Sequence, residues 1–418
     1  MPKHSPAVPF VLLTLLLDVI GFGLLIPVGP KLVEQLMGGT DSDAAPIYGM
    51  LAATYALMQF VFAPILGGLS DRFGRRPVIL VSLLGSGLDY FAAALAPNLT
   101  VLFITRAING ISGANMTACN AYIADITPPE KRAAAFGMVG ATFGIGFVAG
   151  PALGGWLGAI DIRLPFWVAG GLCMLNWLYG LAVLPESLPT DRRRHFELKR
   201  ANTFGTFAHL TRYPLVFSLA CAYFFLYLAM FGLHATWVLY TAHRYHWSTV
   251  QTGLSLTAVG IGAVIVQGGL ARKIIPALGE PRSLLIGIAI GAAAYFAYGL
   301  ATEGWMIYAI IAVASLGGIS QPASQSIITR SVPPTEQGEV QGAMMSLQSI
   351  AQVIGPAAGG WTLGFFISDR SPVYLPGAPF FLSGLLATIG LVASAWALRR
   401  LPVPALPDGT PPEPARSP

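Results

Sequence analysis

The sequence predicts an all-α membrane protein of twelve transmembrane helices arranged as two related six-helix bundles. Three observations carry that prediction. Hydrophobic residues make up 54% of the 418, charged residues only 10%, and mean hydropathy is +0.65, whereas a soluble domain carries about 25% charge. Apolar runs of about 20 residues, long enough to cross a bilayer as helix, recur along the chain. The second half also repeats part of the first after a shift of 205 residues.

The spans are read at 8–29, 46–68, 77–96, 100–123, 132–157, 164–184, 213–241, 249–275, 282–301, 304–328, 336–366 and 375–398. The first contains Asp18 and is followed by Pro27, Gly29 and Pro30 rather than by a small-residue cleavage site, so it reads as a retained span. Connections are short except for 185–212, which carries Arg192, Arg193, Arg194, Lys199 and Arg200 and no apolar run. The chain therefore divides into a bundle at 1–184, a cytoplasmic linker at 185–212, a bundle at 213–400 and a proline-rich tail at 401–418, expected to be disordered and cytoplasmic.

Orientation follows from the basic residues. With the N-terminus inside, 19 of the 24 Lys and Arg fall in cytoplasmic segments, four (Lys31, Arg163, Arg244 and Arg370) fall outside, and Arg106 lies within a span. That asymmetry puts both termini and the linker in the cytoplasm. It also explains the net charge of +5 without nucleic acid as a partner. Cys119, Cys173 and Cys221 all lie inside apolar runs and read as small buried residues rather than as a disulfide framework.

The repeat is read over 128–156, which opens on Pro128-Pro129 and closes on Gly150-Pro151-Ala152-Leu153-Gly154-Gly155-Trp156. A shift of 205 gives Pro333-Pro334 and Gly355-Pro356-Ala357-Ala358-Gly359-Gly360-Trp361, with Gly137 landing on Gly342. Parallel halves related by an axis along the membrane normal place a substrate path between them.

Two motifs sharpen the reading. Residues 67–77 combine Gly67, Asp71, Arg72, Gly74, Arg75, Arg76 and Pro77. The glycines permit a tight turn between helices, the arginines hold the loop at an anionic membrane face, and Asp71 can meet a helix N-terminus or a basic residue. The fifth span carries Gly137, Gly146, Gly150, Pro151, Gly154 and Gly155. Glycines at spacing four form a flat stripe for close helix packing, and Pro151 removes a backbone hydrogen bond.

The loop closely resembles the signature between helices 2 and 3 of the major facilitator superfamily, and the fifth span resembles the antiporter signature of its drug exporters. The second copy has Ala351 where the first has Gly146, so that half matches less well. Leu17-Asp18-Val19-Ile20-Gly21-Phe22-Gly23, Tyr55-Ala56-Leu57-Met58-Gln59, Gly87-Leu88-Asp89-Tyr90, Ala121-Tyr122-Ile123-Ala124-Asp125 and Trp237-Val238-Leu239-Tyr240 are similar to bacterial tetracycline/proton antiporters. The resemblance implies the major facilitator fold and drug transport against protons. It departs where those pumps place a histidine in helix 8 and an aspartate in helix 9; the matching positions are Ala263 and Gly291.

Asp18, Asp89 and Arg106 are the charged groups set deep within spans, where a charge costs roughly 2.5–3.5 kcal/mol on insertion scales. Asp89 and Arg106 lie at equal depth, roughly 10 Å below the outer interface, on antiparallel neighbours. Pairing them leaves Asp18 near mid-membrane without a basic partner, suited to carrying a proton. In the fourth span Arg106, Asn109, Gly113, Thr117 and Asn120 share one helical face, which should line water or a partner helix. Further cavity candidates are Gln59, His234, Trp237, Gln267, Gln321, Gln325, Gln348 and Gln352.

No phosphate loop suggests ATP drive, no His or Cys spacing suggests a metal, and no nucleophile–base pair suggests catalysis. Asn98-Leu99-Thr100 matches a glycosylation acceptor but abuts the membrane and is discounted. The expected activity is proton-coupled export of amphipathic, cationic or metal-chelating drugs by a monomeric transport unit, without a cofactor and with the proton gradient as driving force. A metabolite carrier of the same fold stays open as the alternative.

Overall fold

A computed structural model of the chain describes residues 7–128, 131–193, 210–333 and 336–399. The expected tail, most of the linker and the second proline of each Pro-Pro pair lie outside the described residues. Sixteen α-helices are described: α1 Ala7–Leu25, α2 Gly29–Met37, α3 Asp41–Phe73, α4 Arg75–Ala94, α5 Leu99–Gly113, α6 Met116–Ile126, α7 Arg132–Ile160, α8 Leu164–Val183, α9 Pro214–Tyr245, α10 Thr249–Ile265, α11 Ala271–Leu278, α12 Glu280–Leu300, α13 Gly304–Ser315, α14 Ser320–Arg330, α15 Gln337–Phe366 and α16 Ala378–Leu398.

Helix occupies all twelve predicted positions, but not as twelve simple rods. Among the described residues nine continuous helical segments are long and apolar enough to cross a membrane, two of them α10 with α11 and α13 with α14, and α1 with α2 forms a tenth, bent by 44°. The fourth predicted span breaks after Gly113 into α5 and α6, each too short alone. The eleventh, α15, has the length, but Gln337, Glu339, Gln341, Gln348 and Gln352 lower its apolarity.

The shift of 205 recurs in three dimensions. It carries α4 onto α12, α7 onto α15, and the break after α5 onto the break after α13, where a tight 3-10 turn Leu316–Ile319 intervenes. Even the backbone repeats: Gly74 has φ 105° and ψ 159°, and Gly279 has φ 79° and ψ 153°. Both values lie in the left-handed region that only glycine enters without strain.

Within the first half α1 packs on α7 and α4 on α8; in the second, α9 packs on α15 and α12 on α16. Between halves, α3 lies along α15 and α7 along α10. At the end remote from the linker, one apolar core runs across both halves, joining Leu24, Leu51 and Phe166 to Trp237, Tyr240 and Phe380. Toward the linker end the core divides, with one cluster around Ile79 and Tyr122 in the first half, and in the second one around Leu219 and Ile327 and a small one at Val266, Ala271 and Ile319. The halves are thus fused at the far end and part toward the linker.

Consecutive glycines serve both kinds of contact. Gly154 sits against the Leu24 carbonyl of α1, and Gly155 against the Thr249 carbonyl of α10. Their equivalents Gly359 and Gly360 meet the Gly232 carbonyl of α9 and the Ala45 carbonyl of α3. A side chain at any of the four would push two helix backbones apart.

Candidate functional site

A cavity of about 500 Å³ lies between the halves. Its walls are mainly aromatic and aliphatic, with Phe22, Tyr48, Tyr55, Phe143, Phe147 and Phe166 from one half and Met230, Phe231 and Leu256 from the other. Polar groups reach it at few points: Arg106 on the first wall, and His234, Gln348 and Gln352 on the second. An apolar chamber with a handful of directed polar groups is the usual build of a small-molecule site.

The expected pair is present. Arg106 Nη2 lies 3.7 Å from Asp89 Oδ2, an ion-pair distance too long for a hydrogen bond, and the Asp89 side chain is fully buried. Asp18 forms no ion pair among the described residues; its Oδ2 accepts from Asn115 Nδ2 at 3.3 Å. Neither carboxylate is among the cavity-lining residues, so the formal charge that reaches the cavity is the Arg106 guanidinium.

Other predicted positions lie elsewhere. Asn109 is buried on α5, Gly113 rests against the ring of Tyr55, and Thr117 Oγ1 donates to the Ala63 carbonyl at 3.3 Å. The polar face of the fourth span thus meets α3 and α4, with Arg106 as its one member lining the cavity. Gln59 donates to the Gly113 carbonyl at 3.3 Å. Asn120 is half-buried and outside the lining. Trp237 is buried in the far-end core, its indole N–H donating to Ser255 Oγ at 2.9 Å. Gln267, in a wide π-type turn Val266–Leu270, is exposed, as are Gln321 and Gln325. Asn98 caps α5, accepting from Val101 N–H at 3.0 Å.

The signature loop forms a network at the linker end. Arg75, nearly buried, holds Asp71 Oδ1 at 2.6 Å and Asp125 Oδ2 at 3.2 Å, and donates to Ser70 Oγ at 2.6 Å. Glu186 accepts the backbone N–H groups of Arg75 and Arg76 at 2.8 and 3.3 Å, capping the start of α4. Arg76 reaches the Leu181 carbonyl at 2.9 Å, while Arg72 lies over the Phe73 ring. Gly67 faces Thr117 loosely. In the fifth-span motif, Gly146, Gly150 and Gly154 pack on α1, Pro151 stands inside an unbroken α7, and Gly137 faces open space.

Sequence reading missed several residues. Glu186 lies in the linker at 185–212, and nothing in its spacing points to α4. Asp125 carried a signal, an acid closing a span beside a basic loop. The far-end bridge was also missed: His243 Nδ1 lies 3.1 Å from Asp41 Oδ2 and Nε2 lies 2.8 Å from Tyr374 Oη, joining the halves. Outside the spans, Tyr213 donates to Glu336 Oε2 at 2.9 Å, and that carboxylate pushes the phenol's pKa up.

A family model described as Major Facilitator Superfamily matches residues 11–356 and 277–417. The chain is 40% identical over 354 residues to the tetracycline resistance protein, class C, of Escherichia coli, covering 85% of this chain and 89% of that one. It is 34% identical over 400 residues to the class H protein of Pasteurella multocida, covering 95% and 97%. Among solved structures, a bacterial homolog to the human lysosomal transporter Spinster, in an inward-facing and unoccupied conformation, superposes with TM-score 0.75 at 19% identity, covering 95% of this chain and 98% of that one. At that identity the likeness concerns the fold alone.

Proposed function

This chain belongs to the Major Facilitator Superfamily, and on that premise we propose that it exports tetracycline-like drugs in exchange for protons. It is a multi-pass membrane transporter and not an enzyme. The observation that carries the proposal is the aromatic cavity held between two repeated halves. Relatives named tetracycline resistance proteins, matching 85% and 95% of this chain, support the choice of drug.

The excess of basic residues at the linker end argues that this end and both termini face the cytoplasm of a bacterial inner membrane. Cargo then enters from the cytoplasm, where the halves part. Flat rings pack against Phe22, Phe143, Phe147 and Phe231, and ring oxygens meet Arg106, His234, Gln348 and Gln352. Release outward requires the α3–α15 and α7–α10 seams to open at the far end while the linker end closes. The backbone-to-backbone packing at Gly155 and Gly360 lets each seam act as a stiff pivot.

Asp18 carries the exchanged proton in this scheme, and Asp89 with Arg106 supports it. The Arg75 network keeps the first bundle rigid as it rocks. One chain is the transport unit, and the proton gradient is its energy source.

The test uses everted vesicles from a pump-deficient bacterium expressing the chain. Tetracycline uptake should follow an imposed proton gradient and collapse when a protonophore dissipates it. Uptake of several unrelated cationic drugs instead would mark a multidrug pump. Gradient-driven uptake of a metabolite with no drug transported would overturn the proposal.

A further inference from the structure

The fourth span of each half breaks at the same register, and in each half the first helix braces that break. In the first half Asn115, 2% exposed, donates from Nδ2 to Asp18 Oδ2 at 3.3 Å. In the second, the Tyr223 phenol donates to the Ser320 carbonyl at 3.1 Å. Positions 18 and 115, shifted by 205, are positions 223 and 320, so both bonds join equivalent positions, with the donor on the break in the first half and on the first helix in the second. Only the first copy contains a carboxyl; a phenol keeps its proton through the neutral range.

We propose that Asn115 is the positioning residue through which the ionisation of Asp18 reaches the cargo cavity, with the break between α5 and α6 as the moving part. The proposal rests on the reading of Asp18 as the proton carrier.

The bond from Asn115 to an ionised Asp18 is charge-assisted, and protonation removes that strengthening. The break itself is held by tightened backbone bonds: Ala114 N–H to the Ile111 carbonyl and Asn115 N–H to the Ser112 carbonyl, both at 3.2 Å. Each edge of the break is tied to α3. On one edge Gln59 donates to the Gly113 carbonyl at 3.3 Å, and a Cβ on Gly113 would stand 2.9 Å from Tyr55 Oη. On the other edge Thr117 Oγ1 lies 2.9 Å from the Ala114 carbonyl of the break and 3.3 Å from the Ala63 carbonyl of α3, its one proton shared between them. Tyr55 lines the cavity, so a shift of the break displaces that wall.

The titratable side chains in electrostatic range of Asp18 are Tyr55 on α3, Tyr90 on α4, Cys119 on α6 and Cys173 on α8. Along α7, which packs on α1, Arg132 is the one ionisable residue, at the opening turn. Arg106 is engaged with Asp89. Asp18 is therefore the group of this cluster whose charge changes as cargo and proton alternate.

Infrared titration of the purified full chain in lipid vesicles isolates the Asp18 carboxyl band as the one lost in Asp18→Asn. Asn115→Ala should move the midpoint of that band to higher pH by about one unit, because a donor favouring the carboxylate is gone. Asn115→Asp should move it further, since two touching carboxyls resist double ionisation. Tyr223→Phe, the same site in the other half, should leave it in place. Hydrogen exchange of the amides at 113–117 should follow the midpoint in the unaltered chain and lose its pH dependence in Asn115→Ala. An unmoved midpoint in both Asn115 variants overturns the proposal while leaving Asp18 as a proton carrier. If Asp18→Asn loses no band, the Asp18 reading falls and the proposal with it.

Discussion

The two halves share a backbone and differ in chemistry. Shifted by 205, Asp18 becomes Tyr223, Asp89 becomes Ala294, Arg106 becomes Ile311 and Asn109 becomes Ala314. Each of the three charges set deep within spans of the first bundle is aromatic or apolar in the second. At the linker end the repeat keeps an ion pair but exchanges its signs: Arg75 with Asp125 in one half, Glu280 with Arg330 at 3.1 Å in the other. Duplication thus preserved helix ends, glycine turns and seam packing, which depend on backbone approach. It left the side chains free to diverge into a half that holds the deep charges and most of the cavity's aromatic rings, and a half that supplies His234 and the amides Gln348 and Gln352.

The largest test of that division is Arg106→Ala. It strands the Asp89 carboxylate in a buried site, and losing one partner of a buried pair costs about 3–5 kcal/mol. Export should vanish and the yield of folded protein should fall. The double variant Asp89→Ala with Arg106→Ile copies the second half at both positions. It should recover folded yield, read by size-exclusion chromatography, without recovering gradient-driven uptake. Recovered uptake would dissolve the contrast between the halves.

Asp18→Asn keeps the size and hydrogen-bonding capacity of the side chain but does not titrate. Accumulation against a gradient should be lost while exchange of labelled for unlabelled cargo persists in proteoliposomes. Normal accumulation would move the proton to Asp89.

A smaller effect separates the two left-handed glycines. Alanine at either should cost about 1–2 kcal/mol of backbone strain. Gly74→Ala should cost more than Gly279→Ala, because its Cβ would strike the Glu186 carboxylate whereas Gly279 faces open space. Thermal unfolding of the two variants in detergent gives the order, and equal midpoints would remove Glu186 from the loop's stability.

The smallest effect belongs to Arg330→Ala. Its side chain is 76% exposed, against 9% for Arg75, and exposed pairs contribute at most about 1 kcal/mol. Transport in everted vesicles should barely change, whereas Arg75→Ala should slow it by unseating Asp71 and Asp125 together.

Hydropathy and charge placement were enough to read the membrane class, because a lipid core accepts only long apolar helices whose backbone bonds close internally. The offset between Gly150-Pro151 and Gly355-Pro356 disclosed the duplication, since backbone contacts between helices tolerate few residues other than glycine. Equal depth on adjacent antiparallel spans was enough to pair Asp89 with Arg106. Helical period, however, says which residues share a face and not what that face meets. So Arg106, His234, Gln348 and Gln352 reach the cavity, while Trp237 enters a core and Gln267 ends exposed, a distinction made only by how helices pack. The break that seats Asn115 beside Asp18 is likewise a tertiary fact. Nothing in Gly113-Ala114-Asn115 forbids a straight helix; the bracing contacts from α1 and α3 decide where it yields.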